Sequence, residues 1–474
     1  CDNCTSRFRE QFGLEVPLTD DYKNPDYLKY MAFKKGVTDR HKAKMRDLVK
    51  SIREDLCMNN LDYIRSESNT EIGRPQWLYS ASSNSRLSAG RKRLRPSDNA
   101  SVDFMGFRYR DTSVSPALME LRQWQNLANS NCVSMYIMGT LDNHADRSGF
   151  APTKRVFEFH KTHQALYTGL QSAAKVLLLR RGMWQRTDPE TAGWIRALTE
   201  SHIPFDEMNL DELQGKDQLQ GITTLILGDL KGLKPAQTDI FTDFATQGGT
   251  VIATGETRLP DQDIEEITEV RHNAMSAVFA LDEHEKSIFK HCADAPYIAP
   301  GQDIMLVKPA KTAAAWLHLI DEHPFGPPER CYYTDQNITA APGIIVNPCG
   351  LGQMITIPFR IGAMYRNEGY QNSLNLLQDV LSGLAHVSSL APDSSPMFEV
   401  TLSAKDDMQV IQLVNTSGCF ANSYFPPLPI SGIRLELDFE PGEIHTLNGG
   451  TVDVQGHYLV LDQLKEYEAI VLKK

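Results

Sequence analysis

A chain of 474 residues cannot be served by one hydrophobic core, and about three domains are expected. Its 41% apolar and 23% charged residues are those of an ordinary globular protein, and a net charge of -12 argues against nucleic acid or an anionic membrane as principal partner, since both select basic surfaces. No run of 18 apolar residues appears, so no membrane span is expected. The eight cysteines, at 1, 4, 57, 132, 292, 331, 349 and 419, are scattered apart from the first pair. Such scatter fits a reduced, cytoplasmic protein better than a disulfide framework, which belongs to small secreted domains.

The chain opens directly in Cys1-Asp2-Asn3-Cys4, without an initiator Met. Residues 24–56 follow, with Tyr30, Phe33, Val37, Met45, Leu48, Val49 and Ile52 at three- and four-residue spacing. That period predicts one or two long helices with a single buried stripe. Short apolar runs come next, at 61–64 (LDYI), 102–107 (VDFMGF) and 133–139 (VSMYIMG), with 56–58 as a fourth. Loops and helices at 83–90 and 116–129 separate them, and alternating strands and helices mean a parallel sheet. In a barrel of this kind the loops after the strands form the active face. The basic run 86–95 (RLSAGRKRLR) reads as a solvated face rather than a phosphate grip.

The run 173–179 (AAKVLLL), apolar but for Lys175, suits a central parallel strand buried on both faces. A helix at 189–201, a strand at 223–227, a helix at 235–247, strands at 249–253 and 352–358 and a helix at 372–384 continue a doubly wound α/β domain, with 257–351 as a long insertion or edge. It carries no GxGxxG and no GxxxxGK[ST], so nothing supports nucleotide binding. From residue 396 only strands appear, at 397–403, 408–415, 433–439, 451–456, 457–464 and 469–474. Turn signals at Pro441-Gly442 and Asn448-Gly449-Gly450 help to separate them, which predicts a small antiparallel β-sandwich. The expected domains are 1–168, 169–388 and 389–474.

This order of parts, with CDNCTSRFREQFG at the start and LMELRQWQNLANSNCVSMYIMGTLDNHADRSGF at 118–150, resembles the β-galactosidases of glycoside hydrolase family 42 and related glycosidase-like barrels with a β-galactosidase trimerisation domain. The resemblance implies the C-terminal half of a (β/α)₈ barrel in 1–168, with four barrel strands and an N-terminal truncation. It also implies a flavodoxin-like or class I glutamine amidotransferase-like α/β domain, then the sandwich. Carbohydrate is the implied partner and a homotrimer the implied assembly. In the family the general acid is a Glu just upstream of the cysteine cluster, a place before residue 1. The nucleophile is a Glu ending the seventh strand, here 102–107, which has none: Asp103 lies inside that strand and Asp111 lies four residues past its end. The departure argues against lactose-type activity and leaves this chain expected to be inactive by itself. An α-L-fucosidase-type barrel and a non-catalytic carbohydrate-binding or assembly protein are the alternatives. At Thr254-Gly255-Glu256-Thr257 the amidotransferase nucleophile is missing, so the middle domain reads as structural and oligomeric. No cofactor is expected; Cys1 and Cys4 are half of the thiolate set that such relatives use for a structural zinc.

Glycoside cleavage needs two carboxyl groups, one protonated and one ionised, at the C-terminal ends of barrel strands. Glu67 is expected to end the sixth strand, with Arg65 beside it to hold it ionised and Asn69 in the same loop. Asp111, next to Arg110, and Asp142 or Asp146 are the possible partners. The segment 140–147 concentrates Asp142, Asn143, His144, Asp146 and Arg147 in a loop that reads either as sugar-binding or as solvated. Trp77 and Tyr79 offer flat rings on which a pyranose could stack.

Overall fold

Two helices make up most of the first unit, Cys1–Arg65. The helix α1 spans Asp2–Phe12 and ends at Gly13, whose φ of 65° is the left-handed conformation of a helix C-cap. The helix α2, Pro25–Ile52, starts where the Asn24 side chain accepts the Asp26 N–H at 2.9 Å and Pro25 occupies the first turn. Phe8 packs on Tyr30 and Phe33, with ring centroids 5.2 and 5.5 Å apart. The stripe is therefore buried only in the first half of α2, since Leu48 and Ile52 are exposed. The structure, a computed structural model, describes residues 1–19, 24–59, 61–73, 76–90, 96–181, 187–260, 264–272, 274, 276–301, 303–322, 327, 329, 338–392 and 394–473.

The second unit is Ser66–Lys474. Its first layer is a three-stranded sheet of β1 (Ile64–Ser68), β2 (Ser97–Val102) and β3 (Cys132–Tyr136), in that order, with β2 and β3 parallel. Helices α3 (Ser80–Ala89), α4 (Pro116–Ala128) and α5 (Phe150–Thr162) follow each strand in turn. Four strands were expected here; residues 56–58 form none, and three are found among the described residues. The sequence pattern also misplaces two of them. β1 starts at Ile64 and carries Glu67 inside it, and β2 ends at Val102, where the expected strand began. The reason is composition: the β2 segment, SDNASV, has a single β-branched apolar residue, yet it is wholly buried.

Val133 and Met135 of β3 pack on apolar residues of α4, but between β2 and its helices hydrogen bonds take over. Asn99 Nδ2 donates to Ser68 Oγ at 3.0 Å and to Asn126 Oδ1 at 2.7 Å, Asn126 Nδ2 returns to the Asn99 carbonyl at 2.8 Å, and Ser85 Oγ donates to Asn126 at 2.9 Å. A fully satisfied network of this kind fixes one register, because a slip strands every member. At its border Arg86 Nε and Arg180 Nη1 both donate to the buried Glu207 carboxylate, at 2.9 and 3.1 Å. The first residue of the basic run is thus an internal ion-pair partner, while 91–95 lie outside the described residues.

Short helix α6 (Gln164–Tyr167) and β4 (Gln171–Ser172) lead into the α/β layers. These comprise β5 (Val176–Arg180), α7 (Pro189–Glu200), β6 (Phe205–Asn209), β7 (Thr224–Gly228), α8 (Pro235–Thr246) and β8 (Thr250–Thr254). The expected insertion at 257–351 holds β9 (Ile264–Arg271), β10 (Val278–Ala280), β11 (Tyr297–Ile298), β12 (Ile304–Pro309), β13 (Ala314–Ile320) and β14 (Ile338–Cys349). β15 (Gly352–Ile357), α9 (Ile361–Glu368) and α10 (Gln371–Asp379) complete the layers. The nine-stranded sheet runs β11-β10-β13-β14-β15-β8-β7-β5-β6, parallel from β15 to β6 and antiparallel beyond, while β9 and β12 form a separate ribbon. Strand β6 had no counterpart in the sequence pattern. Side-chain alternation divides the core: Val176 and Leu178 join Trp194 and Ile226 on one face, and Leu177 and Leu179 join Leu227 and Phe241 on the other. Helices α7 and α9 cross so closely that a Cβ on Gly193 would stand 1.8 Å from the Gly362 carbonyl oxygen.

Two antiparallel sheets close the chain. One contains β16 (Phe398–Lys405), β17 (Met408–Asn415), β21 (Glu443–Thr446) and β24 (Tyr467–Lys473), with β4 added at its edge; the other contains β20 (Ile430–Glu436), β22 (Val452–Gln455) and β23 (Tyr458–Leu464). A two-strand hairpin of β18 (Cys419–Phe420) and β19 (Ser423–Tyr424) projects beside them. Ile411, Leu413, Ile470 and Leu472 from the first sheet meet Ile433, Leu435, Leu459 and Leu461 from the second in one core. On the opposite face of the first sheet, Trp124 of α4 stacks on Tyr467 at 4.5 Å.

Candidate functional site

Strands β2 and β3 end side by side, and the residue after β2 is Asp103. Its N–H donates to the Tyr136 carbonyl at 2.9 Å and its carbonyl accepts from Val114 N–H at 2.9 Å, so the backbone is held between the end of β3 and the returning limb of its own loop. That loop, 103–114, is narrow: Phe104 bridges Ser113, Met105 N–H reaches Thr112 O at 3.2 Å, and Phe107–Tyr109 makes one 3₁₀ turn at the tip.

The Asp103 side chain is 1% exposed. Ser113 Oγ donates to its Oδ2 at 3.0 Å, and Nε2 of His144 lies 3.8 Å from the same oxygen. Oδ1 has no hydrogen-bond partner and lies against Gly149, where an added Cβ would be 2.4 Å away. Burial pushes this carboxyl up to about 6, against the Ser113 bond and the nearby His144, with the Asp146 charge adding to the rise. Asp146 is moved the other way. Its Oδ2 accepts Ser113 N–H at 2.9 Å and its Oδ1 accepts Ser148 N–H and Oγ at 3.2 and 2.8 Å, and these bonds, the Ser113 N–H first, hold it below the usual carboxylate range. Ser113 therefore joins two carboxyl groups whose surroundings drive their proton affinities apart, the arrangement in which one can carry a proton while the other is ionised.

Two arginines set the frame. Buried Arg122 of α4 donates to the Val102 and Asn69 carbonyls, both at 3.1 Å, and to Thr70 Oγ1 at 3.0 Å, tying the ends of β1 and β2 together. Burial pushes its guanidinium down to about 10. Arg147 folds back onto its own loop, with Nη2 to the Leu141 carbonyl at 2.6 Å and Nε to the His144 carbonyl at 3.0 Å. His144 stacks on Phe150.

The residues singled out from sequence are distributed unevenly around this centre. His144 and Asp146 are in it, and Arg147 shapes its loop. Asp142 and Asn143 are exposed, and Asn143 Oδ1 serves Thr140 Oγ1 at 2.7 Å. Arg110 and Asp111 are exposed on the 103–114 loop. Glu67 is exposed at the penultimate position of β1, where its carbonyl accepts Asn84 Nδ2 at 3.0 Å, and Asn69 contributes its carbonyl to Arg122. Arg65, in the first unit, sits over the Tyr63 ring. Tyr79 is buried with its hydroxyl donating to Glu200 Oε1 at 3.0 Å, and Trp77 meets it edge-on against the α/β core. A buried ring has no free face for a sugar, so the stacking role expected of Tyr79 does not fit its position. Cys1 and Cys4 are free, and no third ligand joins them among the described residues.

Asp103, Ser113, Arg122 and Gly149 were not foreseen. Asp103 was read as a strand interior because V-D-F alternates; the polar run that is the true strand was the only available signal.

No protein-family model matches the chain, and no curated protein matches it in sequence. Solved structures do match in shape. The α-L-fucosidase isoenzyme 2 from Paenibacillus thiaminolyticus is 15% identical with a TM-score of 0.75, over 100% of this chain and 75% of that one. The β-galactosidase from Bacillus circulans sp. alkalophilus is 13% identical with a TM-score of 0.69, over 100% of this chain and 77% of that one. The β-galactosidase from Rahnella sp. R3 is 15% identical with a TM-score of 0.69, over 100% and 76%. At such identities the likeness concerns the fold, which is glycosidase-like. No helix among the described residues is long and apolar enough to cross a membrane.

Proposed function

We propose that this is a glycoside-hydrolase-like protein whose carbohydrate-facing surface lies at the C-terminal ends of β1, β2 and β3, of the β-galactoside or α-L-fucoside class. The observation that carries the reading is Asp103: a sheltered carboxyl following a strand end, its proton affinity raised by burial, beside Asp146, whose hydrogen bonds favour its ionised form. We take β1–β3 as barrel strands, with the division 1–168, 169–388 and 389–474 as the domain plan. The isolated chain is not expected to turn over substrate. Asp146 is fully engaged by Ser113 and Ser148, and Glu67, Asp111 and Asp142 stand exposed to solvent, so among the described residues we identify no second carboxylate held opposite Asp103.

The test is incubation with 4-nitrophenyl β-D-galactopyranoside and α-L-fucopyranoside, alongside NMR titration with galactose and fucose. Weak binding that perturbs the 140–149 loop, without turnover, is the expected result. Absence of binding to both sugars would overturn the reading. Turnover above background that is lost in Asp103→Asn would reject the inactivity.

The burial of Asp103 and its contact with Gly149 favour a second reading, in which the carboxyl only ties loops together and the protein is a non-catalytic carbohydrate-binding or assembly protein. In that case Asp103→Asn changes stability and leaves sugar binding intact. For assembly we propose a homotrimer built through the α/β layers, supported by the absence of a nucleophilic Cys in the turn after β8; light scattering of the full chain should give three times the 53.2 kDa monomer mass.

A further inference from the structure

Far along the chain, at the antiparallel end of the nine-stranded sheet, two carboxylates and an imidazole converge. Asp282 and Glu285 lie in the turn after β10, and His318 comes from β13, where it pairs with Ala280. One ligand atom from each of Asp282, Glu285 and His318 lies within 4.8 Å of the others. Glu285 is 1% exposed, and the other two are half-buried.

Part of this is local architecture. Asp282 N–H donates to Glu285 Oε2 at 3.0 Å while Glu285 N–H donates to the Asp282 backbone carbonyl at 3.0 Å, so the Glu285 side chain and backbone together close a short turn. Glu285 Oε1 also accepts the Leu317 N–H at 3.2 Å. Those bonds orient the Glu285 carboxylate but bring no positive charge to it. Among the described residues no ion pair joins Glu285 or Asp282 to a lysine or arginine. Closing that turn also has no use for a histidine delivered from another strand. Two carboxylates, one of them removed from water, call for a cation.

We propose that Asp282, Glu285 and His318 bind one divalent first-row metal ion of the zinc class. A mixed imidazole and carboxylate set without thiolate suits zinc, cobalt or manganese, whereas calcium and magnesium prefer oxygen alone. Bonds of about 2.0–2.2 Å place tetrahedral ligands roughly 3.5 Å apart, so closure needs a small movement of the two half-buried side chains around the fixed Glu285. Three protein ligands leave a position for water or for another donor.

The experiment uses the full chain with Cys1→Ser and Cys4→Ser, so that the first cysteine pair does not compete, stripped with chelator. It is titrated with zinc by calorimetry and with cobalt by visible absorption. One equivalent should bind, the cobalt spectrum should lack the near-ultraviolet thiolate band, and His318→Ala and Asp282→Asn should each weaken zinc binding at least about tenfold. Thermal unfolding of the metal-free variants near the parent value establishes that they are folded. Failure to bind zinc or cobalt, binding unchanged in both variants, or tighter binding of calcium or magnesium would each overturn the assignment.

Discussion

Nε2 of His144 faces Oδ2 of Asp103 across 3.8 Å, bringing the loop after β3 onto the residue that follows β2. The groups around that carboxyl are Ser113, His144, Asp146 and Arg122, and burial, aided by the Asp146 charge, outweighs the downward pull of Ser113, His144 and Arg122. A carboxyl whose folded value is raised to about 6 from a usual value of 3.8 binds more protons folded than unfolded across that interval. Stability from this group is therefore lost as pH rises from about 4 through about 6, and the loss levels off above. Asp103→Asn, which keeps the shape, should flatten that decline by no more than about 2 kcal/mol once solvent screening is allowed for. Urea unfolding of both proteins at pH 4.5 and 7.5 measures it; an equal decline in the two would show that Asp103 is not the titrating group.

Arg122 is the next most exposed to test. Its guanidinium is buried and holds two carbonyls and a hydroxyl at the ends of β1 and β2. Arg122→Met fills much of the volume but leaves Val102 and Asn69 without their donor, which should cost about 2–4 kcal/mol. Arg122→Lys cannot span all three acceptors from one compact charge and should recover only part. Chemical denaturation gives both values, and a loss under about 1 kcal/mol in Arg122→Met would mean that water replaces the guanidinium at little cost.

Tyr79 separates packing from recognition. Its hydroxyl bonds Glu200, which also takes Arg196 Nε at 2.8 Å and the Tyr365 hydroxyl. Tyr79→Phe removes one of several donors to a carboxylate and should cost about 1 kcal/mol, with sugar affinity unchanged. A fall in galactose or fucose binding at preserved stability would return Tyr79 to the carbohydrate face.

Helices and apolar strands were legible because period and composition agree. The 235–247 and 189–201 helices begin where Pro predicts, at Pro235 and Pro189, the second with Asp188 as its cap, and β5 follows its apolar run. The polar layer was not legible. In β2 serine and asparagine satisfy one another instead of filling space, which no scale of β-propensity registers, and the strand was placed one segment too late. That single displacement hid Asp103. Spacing also cannot tell whether an aromatic such as Tyr79 faces solvent or another layer.

Gly149 offers the sharpest check on how tightly the centre is closed. It stands at the start of α5 without a left-handed φ, so alanine is conformationally acceptable there, and the objection is space alone: the new Cβ would lie 2.4 Å from Asp103 Oδ1 and 3.2 Å from Cγ. Gly149→Ala should therefore cost about 1–3 kcal/mol through displacement of the carboxyl and of its Ser113 bond. Replacing the carboxyl by Asp103→Ala vacates that volume, so the double variant should be more stable than the sum of the single changes by about 1 kcal/mol or more. A double-mutant cycle in urea measures the coupling. Strict additivity would show that the 140–149 loop moves aside freely, and the picture of a closed, loop-covered Asp103 would have to give way to an open one.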